Sequence, residues 1–113
     1  MAGTKLVVIY PRPKHVDVLE RACQDDHVPL AVANLGAKTK IAGTRVLGSP
    51  QGLPPFYRIA EVHSPSIEAL EACAASEGGQ ETLAHAVKIS TERTPIFLVA
   101  EEETFTFSQT ANA

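Results

Sequence analysis

Tryptophan is absent, and aromatic residues make up only 5% of the 113-residue chain. A core built around large aromatic plates is thereby excluded, and Val, Ile, Leu and Ala must fill it. Only two cysteines occur, Cys23 and Cys73. They are too few for a disulfide framework and form no Cys-x-x-Cys pair that would lower a thiol pKa. They read as two reduced, half-buried thiols, which suits a cytoplasmic protein. No run of Lys or Arg is present, and the net charge is −3 with a pI near 5.8. Nucleic acid and anionic membrane both need a concentrated basic field, so neither is expected as a partner. No apolar stretch approaches the ~20 residues of a membrane span. The run Leu6–Tyr10 is too short for a signal-peptide core and is cut by Pro11.

Familiar chemical motifs are missing as well. There is no Gly-x-Ser-x-Gly elbow, and no dinucleotide fingerprint follows the first apolar run. Gly43–Ser49 superficially looks like a phosphate loop but lacks the Lys before Ser and begins inside a strand-like segment. His15, His27, His63 and His85 are scattered, with no His-x-x-x-His pair to start a metal site. Asp25 and Asp26 neighbour His27, but adjacent helical residues point in different directions. Neither a metal nor a nucleotide cofactor is expected.

What is present is one domain's worth of chain. Lys5–Tyr10 is short and β-branched, and Pro11 and Pro13 stop it, so it reads as a strand. Val16, Leu19, Cys23 and His27 then recur at helical spacing. Val28 precedes Pro29, so the helix is expected to end or kink near His27, with a connection over 31–37. Thr39–Leu47 reads as a second strand with Gly43 as a candidate bulge, and Phe56–His63 as a third. The turn-rich loop Gly48–Pro55 would join them as an antiparallel pair.

Ser66 is placed to cap a second helix, whose stripe is Ile67, Leu70, Cys73 and Ala74. Gly78-Gly79 is expected to end it. Helical spacing then resumes to Ile89 through Leu83, Ala84 and Val87. Thr94–Ala100 is the fourth strand. The pattern is α+β: a ferredoxin-like βαββαβ order, with an antiparallel four-stranded sheet and helices on one face. Residues 1–103 form this domain. In the tail, 104–113, Thr104–Ser108 alternates like a strand that could pair with another subunit.

Helices on one face leave the other bare, yet Leu6–Tyr10 and Ile96–Val99 are apolar on both parities. A chain this short has no material for a third layer, so a homodimer packed sheet to sheet is expected.

Four segments resemble the EthD-like family, named for a bacterial ethyl tert-butyl ether degradation cluster. They are Lys5–Pro13; His27-Val28-Pro29-Leu30-Ala31; Arg45–Gly52 with Tyr57-Arg58-Ile59-Ala60-Glu61; and Thr94–Glu101. The His-x-Pro-Leu element is the most specific of them. Ala22 and Cys23 stand where relatives often carry aromatics, and Asn34-Leu35-Gly36 lacks the usual Pro-Gly, which implies an altered pocket wall. The resemblance implies a dimeric α+β barrel with a hydrophobic pocket between helices and sheet, and Leu30 as part of that pocket's wall. It implies no particular reaction, since relatives include cofactor-free monooxygenases, cyclases and isomerases.

His27 is the candidate catalytic residue. Its spacing turns it toward the sheet, and its ring can give or take a proton near neutrality. A helix C-terminus at this point would favour the protonated ring. The competing reading is a structural histidine bonded to a carbonyl. Tyr57 and Glu61 share strand parity, with Arg58 on the other face. If they face the helices, Tyr57 is a hydrogen-bond donor and Glu61 an acid–base or orienting partner for a ligand beside His27. Otherwise Arg58 and Glu61 make ion pairs across the dimer interface. Tyr10 either lines the same cavity or is a core tyrosine with a satisfied hydroxyl. Three functional hypotheses follow. In one, a cofactor-free protein transforms a small, apolar, aromatic or ether-type compound; in another, a non-catalytic module binds or carries it for a partner oxidase; in the third, the cavity of the dimer is vestigial.

Overall fold

A computed structural model describes residues 3–35, 40–90 and 93–107. Strand β1 (Thr4–Pro11) sits inside a four-stranded sheet of order β2-β3-β1-β4, with β2 at Lys40–Arg45, β3 at Phe56–Ser64 and β4 at Ile96–Glu101. Every neighbouring pair is antiparallel. β1 lies between β3 and β4, while β4, whose Ile96–Val99 is as apolar on both parities as Leu6–Tyr10, takes the edge.

The helix expected to stop near His27 continues to Leu35. It begins as α1 (Val16–Arg21), widens into a π-helical turn over Ala22–His27, and goes on as α2 (Val28–Leu35). The reason is local. Pro29 has no N–H, and in an α-helix its ring collides with the carbonyl four residues back. In the widened turn the Val28 N–H reaches Cys23 O, five residues back, so the ladder passes the proline without breaking. Of the connection expected at 31–37, Ala31–Leu35 is helix and the remainder lies outside the described residues.

The second helical segment breaks at Ser76, not at the glycines. α3 (Ile67–Ala75) starts from Ser66, whose Oγ accepts the Ala69 N–H at 3.1 Å. α4 (Glu77–Ile89) starts from Ser76, whose Oγ accepts the Gly79 N–H at 3.0 Å and donates to Cys73 O at 2.6 Å. One serine thus caps the end of one helix and the beginning of the next. Gly79 is required by this junction, because a Cβ there would lie 2.0 Å from Cys73 O. The inner face of α4 is also shifted from the expected stripe. Gly79, Thr82 and Ala86 are buried, whereas Ala84 and Val87 face outward.

The expected bulge at Gly43 is absent, since Gly43 pairs with Ala60 in register. The irregularity lies at the other edge of β3. There Tyr10 pairs with Arg58 and Pro11 with Phe56, leaving Tyr57 as the extra residue. A bulge turns two successive side chains to one side. Tyr57 therefore joins Val8, Tyr10, Leu19 and Cys23 in the core, while Arg58 reaches Glu20 on α1.

The helices cover one face of the sheet. By register, the other carries Val7, Ile9, Ile59, Ile96 and Leu98. Lys5 donates there to Glu61 Oε2 at 3.2 Å and Glu102 Oε1 at 3.3 Å, and His63 Nε2 lies 2.9 Å from Glu61 Oε1. Beyond β4, residues 102–107 have no strand within the single chain, with Phe105 and Phe107 exposed. The rest of the tail, 108–113, lies outside the described residues.

Candidate functional site

A cavity of about 320 Å³ lies between the helices and the sheet, within the range of small-molecule sites. Its floor is the inward parity of two strands: Leu6, Val8 and Tyr10 of β1, with Ala60 and Val62 of β3. Its roof is the π-helical turn and α2, through Cys23, His27, Ala31 and Leu35, joined by Thr82, Leu83 and Ala86 of α4. Ile41 and Gly43 of β2 close one side and Arg58 stands at the edge. The widened helical turn is what sets Cys23 and His27 together over this space, both buried.

The polar groups are few and joined. The Tyr10 hydroxyl is 3.3 Å from His27 Nε2. His27 Nδ1 is 2.9 Å from His85 Nδ1, and the two rings are nearly parallel at 8°. Burial pushes the His27 pKa down to about 4, helped by His85 and by the positive charge of Arg58. The ring is therefore neutral at physiological pH. The expectation that a helix end would favour its protonated form is overturned, because the helix does not end there. Burial, with the neighbouring Cys23 adding to it, raises the Tyr10 pKa and keeps its proton on; burial likewise raises the Cys23 thiol. Arg58 donates to Glu20 Oε1 at 2.9 Å, so its charge is balanced at the cavity wall.

Of the residues singled out from sequence, Tyr10 and His27 line this cavity. Leu30, Tyr57 and Glu61 are not among its lining residues. Leu30 is half-buried on α2. Tyr57 is in the core beneath Arg12, whose guanidinium carbon is 5.7 Å from its ring centre. Glu61 is on the open face, where hydrogen bonds from Lys5 and His63 outweigh the effect of burial and hold its carboxyl below the usual range. Tyr57 and Glu61 thus lie on opposite faces, because the bulge reverses the parity between them. Arg58, expected opposite Tyr57, shares its side. Sequence reasoning weighed His85 only as a metal ligand and did not bring it to His27. Its signal was the spacing Thr82, His85, Ala86, Ile89, a helical face hidden by the more apolar Leu83, Ala84 and Val87.

A separate cleft beside Arg12 and Arg93 measures about 60 Å³, room for a few waters only. Among the described residues, no group of three or more His, Cys, Asp or Glu side chains converges in a way that would hold a metal ion, and no helix is long and apolar enough to cross a membrane.

The sheet order and the two helical crossovers define the class, a ferredoxin-like α+β fold. An EthD-family protein from Bacillus halodurans C-125 superposes with a TM-score of 0.81 at 23% identity, covering 89% of this chain and 99% of that one. An EthD-like protein from Ralstonia eutropha JMP134 gives 0.66 at 20% identity, over 88% and 91%. A dimeric ferredoxin-like protein of unknown function from Jannaschia sp. CCS1 gives 0.59 at 16% identity, over 92% and 100%. No family model and no curated protein matches the chain in sequence. The chain therefore has a ferredoxin-like fold, similar to that of these EthD-family structures.

Proposed function

We propose that this chain is an EthD-like protein that works as a homodimer and takes a small, largely apolar compound into the cavity under α2 and α4. Aromatic and ether-type compounds suit its lining, which offers aliphatic walls and a short row of proton-bearing groups. His27 gives or takes a proton, through Tyr10 or directly. The observation that carries this reading is the meeting of Tyr10 and His27 at 3.3 Å on the wall of an otherwise apolar space. An imidazole that burial keeps neutral at pH 7, bonded to a hydroxyl on the wall of a ligand-sized void, is free to accept a proton from a bound compound.

Homodimerisation is supported by the uncovered apolar sheet face and by the dimeric state of the Jannaschia protein and of a Bacteroides fragilis protein of the same fold. The tail from Thr104 onward, with its two exposed phenylalanines, is assigned to the partner subunit's surface. Two free cysteines suit the cytoplasm.

The test is a thermal-shift screen of small aromatic, ether and lactone compounds on the wild type and on Ala31→Phe, which fills the cavity. A binder is expected to raise the wild-type melting point by several degrees at saturating concentration and Ala31→Phe hardly at all. If no compound shifts the wild type, or if both proteins shift alike, the cavity is not the site. Mass spectrometry of the binder with wild type and His27→Gln then reads turnover. Binding without turnover would make the protein a carrier, such as one serving a partner oxidase.

A further inference from the structure

Resting on the reading of the cavity as a site of proton transfer, we propose that His85 is the outer member of a relay, Tyr10–His27–His85, that carries protons between the cavity and solvent. The geometry admits two neutral arrangements and no others that keep both bonds. The Nδ1···Nδ1 contact of 2.9 Å joins two atoms of one kind, so one must carry the hydrogen and the other must not. When His27 Nδ1–H donates to His85, His27 Nε2 is bare and accepts from the Tyr10 hydroxyl. When His85 Nδ1–H donates to His27, His27 Nε2–H donates to the Tyr10 oxygen, and the Tyr10 hydrogen is free to point into the cavity.

The first arrangement accepts a proton and the second supplies one. In the first, an acidic C–H or O–H of the bound compound gives its proton to the Tyr10 oxygen. The Tyr10 hydrogen passes to His27 Nε2, and the His27 Nδ1 hydrogen passes to His85 Nδ1. The compound is left as an anion, and His85 becomes an imidazolium that releases its Nε2 hydrogen to water. What remains is the second arrangement, which runs the same steps in reverse. It returns a proton to the compound through Tyr10 while His85 takes one from water at Nε2. A cycle that removes a proton at one atom and restores it at another therefore resets itself, as an isomerisation or ring closure requires.

Burial explains why two imidazoles are needed. A proton resting on His27 alone would leave a charge in an apolar enclosure, where His27 is 9% exposed and Arg58 already contributes a positive charge. The relay places that charge on His85, which is only half-buried and sits on the outer helix α4. His85 does not line the cavity, so its role is positioning and proton exchange, not contact with the compound.

The test uses the ligand-free protein labelled with 15N in its histidines, so that its failure is distinct from failure of the cavity to bind anything. At pH 7 a scalar coupling between the two Nδ1 atoms is expected in the wild type, and its absence would overturn the pairing. The exchange rate of the His27 ring hydrogen with water is then compared in wild type, His85→Gln and His85→Asn. Both amides can hydrogen-bond to His27 but cannot take a proton on one atom and release it from another. Exchange at least tenfold slower in either folded variant, with the melting point within about 2 °C of wild type, is the result expected. An unchanged rate in a folded variant would reduce His85 to a structural neighbour and overturn the relay.

Discussion

The two faces of the sheet share one backbone and differ in what lies against them. Under the helices, Tyr10, His27, Arg58 and Thr82 are each held by a named partner, and among the described residues no buried side-chain nitrogen or oxygen lacks one. On the open face the polar groups Lys5, Glu61 and His63 pair at the surface, and Ile96 and Leu98 remain 40% and 47% exposed. Burial makes each polar group on the first face matter, because an unpaired one costs much of its hydration energy. Screening makes those on the second worth little singly. The difference fits the proposed chemistry under the helices and the proposed association through the other face.

Paired truncations sharpen this contrast most. Leu19→Ala, at a buried helix-side position, is expected to cost about 3 kcal/mol. Leu98→Ala would cost under about 0.5 kcal/mol in a monomer. Against a second copy of the sheet it is expected to cost about 1–2 kcal/mol and to weaken the dependence of the melting point on protein concentration. Urea denaturation at two concentrations reads both, and a Leu98→Ala protein indistinguishable from wild type at every concentration would leave the open face uncovered.

Acidification is expected to strike the helix side next. The His27 pKa is about 4 in the fold against 6.5 when free. Below pH 6.5 the unfolded chain binds a proton that the folded one refuses, so this stability is present above pH 6.5 and lost as pH falls toward 4. From 6.5 to about 4, at about 1.4 kcal/mol per pH unit, roughly 3.5 kcal/mol is involved over the whole range. Tyr10 and His85 are bonded to the ring, the Arg58 charge acts on it, and Cys23 lines the same cavity. His27→Gln should flatten the difference in denaturation midpoint between pH 7 and pH 4.5. A slope equal to that of the wild type would mean that the ring titrates normally.

The smallest effect is expected at the junction that holds the roof in place. Ser76→Ala removes the cap of α4 and a partner of Cys73 O, a loss of about 1 kcal/mol in thermal or chemical unfolding. A loss near zero would show that water replaces the hydroxyl.

The element order was legible because its signals are local: β-branched runs stopped by proline, helical spacing from Val16 to His27, and serine caps at Ser66. The inward turn of His27 was legible from its spacing with Leu19 and Cys23, whereas Tyr10, on a strand apolar on both parities, was left between cavity and core. The remaining site residues were not legible. Alternation carried from Tyr57 to Glu61 fails at a bulge that depends on how β3 meets the end of β1. Pro29 reads as a stop, and only a widened turn lets the helix pass it. His85 is 58 residues from His27, and no local pattern brings them together.

Sequence by itself determined the class of fold, the order of strands and helices and the inward direction of the first helix, because propensity, capping and periodicity act over a few residues. Tertiary structure alone decided which face holds the cavity, that Glu61 stands outside it, and that two distant histidines share one hydrogen bond. Those outcomes depend on register and helix packing, which are set by the summed contacts of the whole chain and not by any one segment.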